Sequence, residues 1–62
     1  MKKLRILIVE DEFLSRNLLA SLVAEYGQCD VAVDGEEAVR AVKLAYESKG
    51  RYDLILLDIM LP

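Results

Sequence analysis

The chain has 62 residues, a net charge of −3, no His and a single Cys, and 55% of its residues are hydrophobic. A chain of this length forms one small domain or part of one, so a core of its own would be marginal. The acidic net charge argues against a nucleic-acid interface. The Cys and His content excludes an internal disulfide and a Cys/His metal site. Because the sequence has no long apolar run and no secretory pattern, we expect a cytoplasmic protein with no membrane span.

The first half of the sequence predicts a strand followed by a helix. Leu4 to Val9 is an apolar, β-branched run typical of a strand, and three acids follow it, Glu10, Asp11 and Glu12. From Glu12 to Tyr26 the leucines and valines recur at helical spacing, and Gly27 supplies a stop signal. Such a helix is about as long as the strand, so it returns the chain for a parallel strand.

The second half predicts two more strands around a second helix. Asp30 to Val33 is less apolar, as an edge strand can be. Asp34 with its following Gly can mark a hairpin turn, but the apolar residues beyond it repeat with a helical period. We therefore interpret Asp34 as the N-cap of a helix that ends near Lys49 and Gly50. Leu54 to Leu57 is then a buried strand that ends at Asp58.

The order strand-helix-strand-helix-strand predicts an α/β fold with a parallel sheet. Both crossovers should be right-handed. If the second strand lies on one side of the first and the third on the other, the sheet order is 2-1-3 and the helices lie on opposite faces. The carboxyl ends of the first and third strands then flank the crevice where open α/β sheets bind ligands. This arrangement brings Glu10 and Asp11 close to Asp58.

Most acids at this end of the sheet have a simple structural explanation. Three of them fall in first helical turns, where a negative charge is favourable, namely Glu12, Glu36 and Glu37. Bases are expected at the opposite end of the sheet, which makes the domain electrically bipolar; they are Lys2, Lys3, Arg5, Lys49 and Arg51.

Three acids remain without such an explanation, Glu10, Asp11 and Asp58. Like charges this close repel one another, and a hard cation such as Mg²⁺ removes that repulsion. Mg²⁺ is usually held by one or two carboxylates together with a carbonyl and waters. For Asp58 taken alone, a solvated loop carboxylate is an equal alternative, and the neighbouring acid pair favours the functional role.

Three segments together resemble the receiver domain of bacterial two-component response regulators: Ile8 to Glu12, Asp34 to Ala38 and Asp53 to Pro62. The resemblance covers residues 1–62 and corresponds to a truncated receiver domain with the first three strands and two helices. It implies half of a doubly wound, flavodoxin-like sheet. A chemotaxis regulator of this family has the strand order 2-1-3-4-5, so the predicted order is not independent of that example.

The resemblance implies a phosphorelay role rather than an enzyme. Asp58 would be the phosphoacceptor, taking a phosphoryl group from the phosphohistidine of a histidine kinase. Asp11 would bind Mg²⁺ directly, Glu10 would act through water, and the backbone carbonyl of Met60 would be a further contact, with Asp58 completing the site. A carboxylate is a competent nucleophile once a cation offsets its repulsion of the phosphoryl oxygens.

The family pattern continues with two further strands and three further helices, which carry a Ser or Thr and a Lys that contact the phosphoryl group. None of the lysines in this chain follows the carboxyl end of a predicted strand. We therefore expect the chain alone to be inactive in transfer. The outer side of the third strand is an apolar edge that recruits other chains, so we expect a homo-oligomer, most simply a dimer through this strand.

Two other functions remain open. The chain can be a self-assembling structural half-domain with no phosphoryl chemistry, and phosphate uptake on Asp58 from a small phosphodonor separates this function from the first. A metal-dependent phosphohydrolase with an aspartyl nucleophile is less favoured. Such an enzyme usually has a second acid two residues after the first, and Met60 stands there.

Overall fold

The computed structural model describes residues 3–48 and 50–57. In chain order they form β1 (Leu4–Val9), α1 (Phe13–Val23), a 3₁₀ turn (Ala24–Tyr26), β2 (Gly27–Ala32), α2 (Gly35–Glu47) and β3 (Leu54–Leu57). The strands form one parallel sheet in the order β2-β1-β3. This confirms the predicted α/β class and strand order, which match part of a flavodoxin-like fold. No helix within the described ranges is long and apolar enough to cross a membrane.

β1 is the central strand and carries most of the core. Ile6, Leu7 and Ile8 are buried, because β2 and β3 pair with β1 on its two sides and a helix lies over each face. In register, Val9 lies beside Ala32 of β2 and beside Leu57 of β3. Burial on both faces explains why this strand is a continuous apolar run rather than an alternating one.

The two helices lie on opposite faces of the sheet, as predicted. α2 packs over a buried cluster of Leu7, Val9 and Ala32 through its own Ala38 and Ala41. Successive side chains of a strand point to opposite faces, and Leu56 of β3 lines a groove on the other face together with Leu18 and Leu19 of α1. Each helix therefore covers one face of the sheet.

α2 begins where the sequence predicts. Asp34 is its N-cap, and Oδ1 of Asp34 accepts the backbone N–H of Glu37 at 2.8 Å. Glu36 and Glu37 lie in the first turn, where their charge is favourable. The helix ends at Glu47, slightly before the predicted end, because Ser48 caps it with its backbone N–H and its hydroxyl on the last carbonyls.

The boundary between the first helix and the second strand differs from the prediction. α1 ends at Val23, and Gly27, predicted as the helix stop, is the first residue of β2. The strand therefore begins before the predicted Asp30. The cause is a contact with another strand, because Gly27 lies beside Leu4 in the β1–β2 register. A Cβ at Gly27 would overlap the backbone carbonyl of Leu4, so the close approach of the two strands requires glycine there.

A polar cluster at the opposite end of the sheet was missed by the sequence prediction. The backbone N–H of Arg5 donates to Oδ2 of Asp53 at 2.8 Å, and the N–H of Asp53 donates to the Arg5 carbonyl at 2.7 Å. The Tyr52 hydroxyl donates to Oδ2 of Asp30 at 2.6 Å, and the Arg5 guanidinium lies 3.8 Å from the same oxygen. Burial, and then the bond to Asp30, raise the pKa of Tyr52. Asp30 and Asp53 therefore place negative charges at this end of the sheet, where the sequence prediction named only bases.

We predict that Gly27→Ala destabilises the fold by about 1–3 kcal/mol, the usual cost of forcing atoms into a packed site, since the new Cβ would overlap Leu4. Gly35→Ala is the matched control, because no described atom lies within 4 Å of a Cβ there and alanine favours a helix by up to about 1 kcal/mol. Urea unfolding measures both variants. A Gly27→Ala variant as stable as the wild type would contradict the β1–β2 register.

Candidate functional site

Glu10 and Asp11 lie directly after the central strand, at the carboxyl end of the sheet. The backbone N–H of Glu10 donates to the Ala32 carbonyl at 3.0 Å, so pairing with β2 continues one residue beyond β1 and fixes Glu10 in place. On the other side, β3 ends at Leu57 beside Val9. The ends of β1 and β3 are thus neighbours, as predicted. The other predicted site residues, Asp58 and Met60, lie outside the described residues.

The two described acids of the site have different environments. Glu10 is only 1% exposed, and its Oε1 accepts the backbone N–H of Glu12 at 3.0 Å. Asp11 is exposed. A buried carboxylate that accepts a backbone N–H therefore lies next to a carboxylate that is open to solvent. The sequence placed both residues at the site, but it gave no signal for this difference in burial.

The turn from β1 into α1, which we call the acid loop (residues 10–12), is tied to the first turn of α1. Glu12 is the N-cap residue rather than part of the first turn as predicted, and its side chain makes no cap hydrogen bond. Its Oε2 accepts the Ser15 hydroxyl at 2.8 Å, and its carbonyl accepts the Arg16 backbone N–H at 2.9 Å. Nη1 of Arg16 donates to the Glu10 carbonyl at 3.2 Å. Sequence reasoning missed Arg16, because its spacing of four residues from Glu12 indicates a helical pair with Glu12, whereas the guanidinium donates to the Glu10 carbonyl.

The described donor atoms of the site suit Mg²⁺, because they are carboxylate oxygens. Glu10 and Asp11 supply two carboxylates from adjacent residues, and waters usually complete the coordination of this ion. Within residues 3–48 and 50–57, no group of three or more His, Cys, Asp or Glu side chains is placed to hold a metal ion. The described residues therefore fit the ion chemically and provide only part of the predicted site.

An apolar groove of about 560 Å³ lies between α2 and β3. Its lining includes Val39 and Val42 of α2 and Ile55 and Leu57 of β3. Ile55 and Leu57 are 44% and 63% exposed. Among the described strands β3 is at the edge of the sheet, so the groove continues into an open strand edge. Contiguous exposed apolar surface of this kind marks interaction sites.

Known regulators and hybrid histidine kinases are similar to this chain over nearly its whole length. The transcriptional regulatory protein PcoR of Escherichia coli is 49% identical over 59 residues, which are 94% of this chain and 24% of PcoR. DltR of Streptococcus agalactiae is 43% identical over 60 residues, 95% of this chain and 25% of DltR. Hybrid signal transduction histidine kinase B of Dictyostelium discoideum is 44% identical over 59 residues, 94% of this chain and 3% of the kinase.

The similarity concerns one segment of each relative. The chain spans about a quarter of the length of the two regulators and a much smaller share of the kinase. No protein-family model matches the chain, and no solved structure matches it significantly.

Proposed function

We propose that this chain, which by its similarity to known regulators and hybrid histidine kinases is a segment of a response-regulator receiver domain, is the phosphoacceptor segment of a phosphorelay regulator. Asp58 accepts a phosphoryl group from a histidine kinase. A carboxylate oxygen of Asp58 bonds to phosphorus while the P–N bond of the kinase phosphohistidine breaks. The electron pair of that bond stays with the histidine, which takes up a proton.

The observation that carries this proposal is the alignment of the carboxyl ends of β1 and β3. Val9 and Leu57 are register partners at the ends of their strands. In the sequence, Glu10 and Asp11 follow Val9, and Asp58 follows Leu57. Two strand ends that carry acids therefore meet at one edge of the sheet, on the side where open α/β sheets bind ligands.

We assign the acid loop the task of holding Mg²⁺ for this transfer. Exposed Asp11 is the direct ligand, and Glu10, which is buried and accepts the Glu12 N–H, acts through water. Asp58 and the backbone carbonyl of Met60 are the remaining proposed contacts. When bound, the ion offsets the charge of the phosphoryl oxygens.

The chain alone is proposed to be inactive in transfer, since a receiver domain uses a Lys and a Ser or Thr from later strands. Lys43 is within α2 and lines the apolar groove rather than the acidic end. Lys3 precedes β1. Neither described lysine therefore lies at the carboxyl end of the sheet.

We predict that a chimera in which this chain replaces the matching segment of PcoR is phosphorylated, because the rest of PcoR then supplies the later strands. The chimera, its Asp58→Asn variant and natural PcoR are incubated with a small acyl phosphate and Mg²⁺, and phosphoryl uptake is measured by intact-mass spectrometry. The chimera should be phosphorylated and Asp58→Asn should not.

The matched control is Asp53→Asn, which makes the same change of charge at the other end of β3 and keeps an oxygen for the Arg5 N–H. It should be phosphorylated like the chimera. A folded chimera that takes up no phosphate while PcoR does would contradict the proposed function.

A second candidate function, favoured by the apolar groove and the open edge of β3, is self-assembly of this chain as a structural half-domain. In this proposal a second copy covers the α2–β3 groove, most simply as a two-fold dimer with β3 at the interface. Covering Ile55 and Leu57 stabilises the dimer, because burying apolar surface contributes about 25 cal/mol per Å².

We predict that Val39→Lys shifts the chain from dimer to monomer, because Val39 lines the groove and a charge there opposes burial. Leu44→Lys is the matched control: Leu44 lies on the same helix, is 66% exposed like Val39, and does not line the groove. Sedimentation velocity across a concentration series gives the oligomeric state. A wild-type monomer throughout would contradict self-assembly.

A further inference from the structure

Arg16 is a half-buried cation beside the acid loop, with one contact to the loop and one within α1. Its Nη1 donates to the Glu10 carbonyl at 3.2 Å, and its guanidinium carbon lies 5.5 Å from the centroid of the Phe13 ring. The first contact places the charge beside the residue that follows β1, and the second holds the guanidinium near the first turn of α1. The positive charge is thus positioned at the acidic end of the sheet rather than spread into solvent.

Helix chemistry alone does not account for a cation at this place. Arg16 is the fourth residue of α1, and a positive charge near a helix N-terminus is disfavoured by the helix dipole. A helical pair with Glu12, four residues earlier, is the simplest alternative. However, the Glu12 carboxylate accepts the Ser15 hydroxyl, and the Arg16 guanidinium donates to Glu10 instead. The favourable terms are therefore the contacts with the Glu10 carbonyl and the Phe13 ring, together with the attraction of the nearby acids.

We propose that Arg16 is the positioning residue and built-in counter-charge of the acid loop, and that it weakens the binding of a divalent cation there. The inference rests on the proposed function, because Mg²⁺ binding at this site belongs to it. Without metal, the guanidinium offsets the repulsion between Glu10 and Asp11. With metal, two cations share the same acids, so each is bound less tightly than it would be alone.

The test compares Arg16→Gln with the wild-type chain by thermal unfolding at increasing MgCl₂ concentrations. Gln removes the charge and keeps an N–H donor for the Glu10 carbonyl. We expect a lower Tm without Mg²⁺, a larger rise of Tm with Mg²⁺, and a half-saturating Mg²⁺ concentration lowered by about threefold or more, as loss of a nearby like charge requires.

Three further variants sharpen the comparison. Arg16→Lys keeps the charge and should keep the wild-type response to Mg²⁺. Arg40→Gln removes an exposed arginine of α2 and is the matched control. If Arg16→Gln does not fold, citrulline at position 16 is an uncharged isostere of arginine, and Cys29 provides a ligation site for synthesis of the whole chain.

Each outcome decides the inference. If the neutral variants lower Tm equally with and without Mg²⁺, Arg16 has only a structural role, which overturns the inference and leaves the proposed function standing. If neither wild type nor the neutral variants respond to Mg²⁺, both the inference and the proposed metal site are overturned. A response that is stronger in the neutral variants, or present only in them, supports Arg16 as the counter-charge.

Discussion

Parallel pairing of β1 with a strand on each side is the constraint on which the rest of this structure depends. Because β1 is central and covered on both faces, its apolar residues form the core and its end lies at the middle of the sheet. The same registers place Val9 beside both Ala32 and Leu57. A slip of one residue would turn each side chain to the opposite face, so the core and the acidic end are fixed by one set of hydrogen bonds.

The features that sequence predicts well are those with local causes. The strands β1 and β3 are apolar runs, and Asp34 caps α2 through a residue three positions away. The predicted start of β2 was wrong because a glycine after a helical pattern indicates the end of a helix. In the structure Gly27 lies in β2, where its role depends on the neighbouring Leu4. Similarly, the Tyr52–Asp30 contact joins residues far apart in the chain. At the site, Glu10 and Asp11 were predictable as acids after a strand, but the burial of one and the guanidinium beside it were not.

The two candidate functions follow from the position of β3, which pairs with β1 on one side and forms the edge of the described sheet on the other. Its carboxyl end lies next to the acid loop, which supports phosphoryl chemistry at Asp58, and its outer side and the α2 groove remain open, which supports assembly. The similarity of the chain to known regulators favours the first function. Both functions require the β1–β3 pairing, and only the first requires a cation at the acid loop.

The most direct measurement is therefore thermal unfolding of the wild-type chain and Asp58→Asn with and without millimolar Mg²⁺, with Asp34→Asn as a control that preserves the cap. A ligand that binds only the folded state stabilises it, by about 2.7 kcal/mol at a hundredfold excess over Kd. The account predicts that Mg²⁺ raises the Tm of the wild type and of Asp34→Asn, and raises that of Asp58→Asn less. An equal response in all three, or none in a folded wild type, would contradict a cation site formed by the ends of β1 and β3.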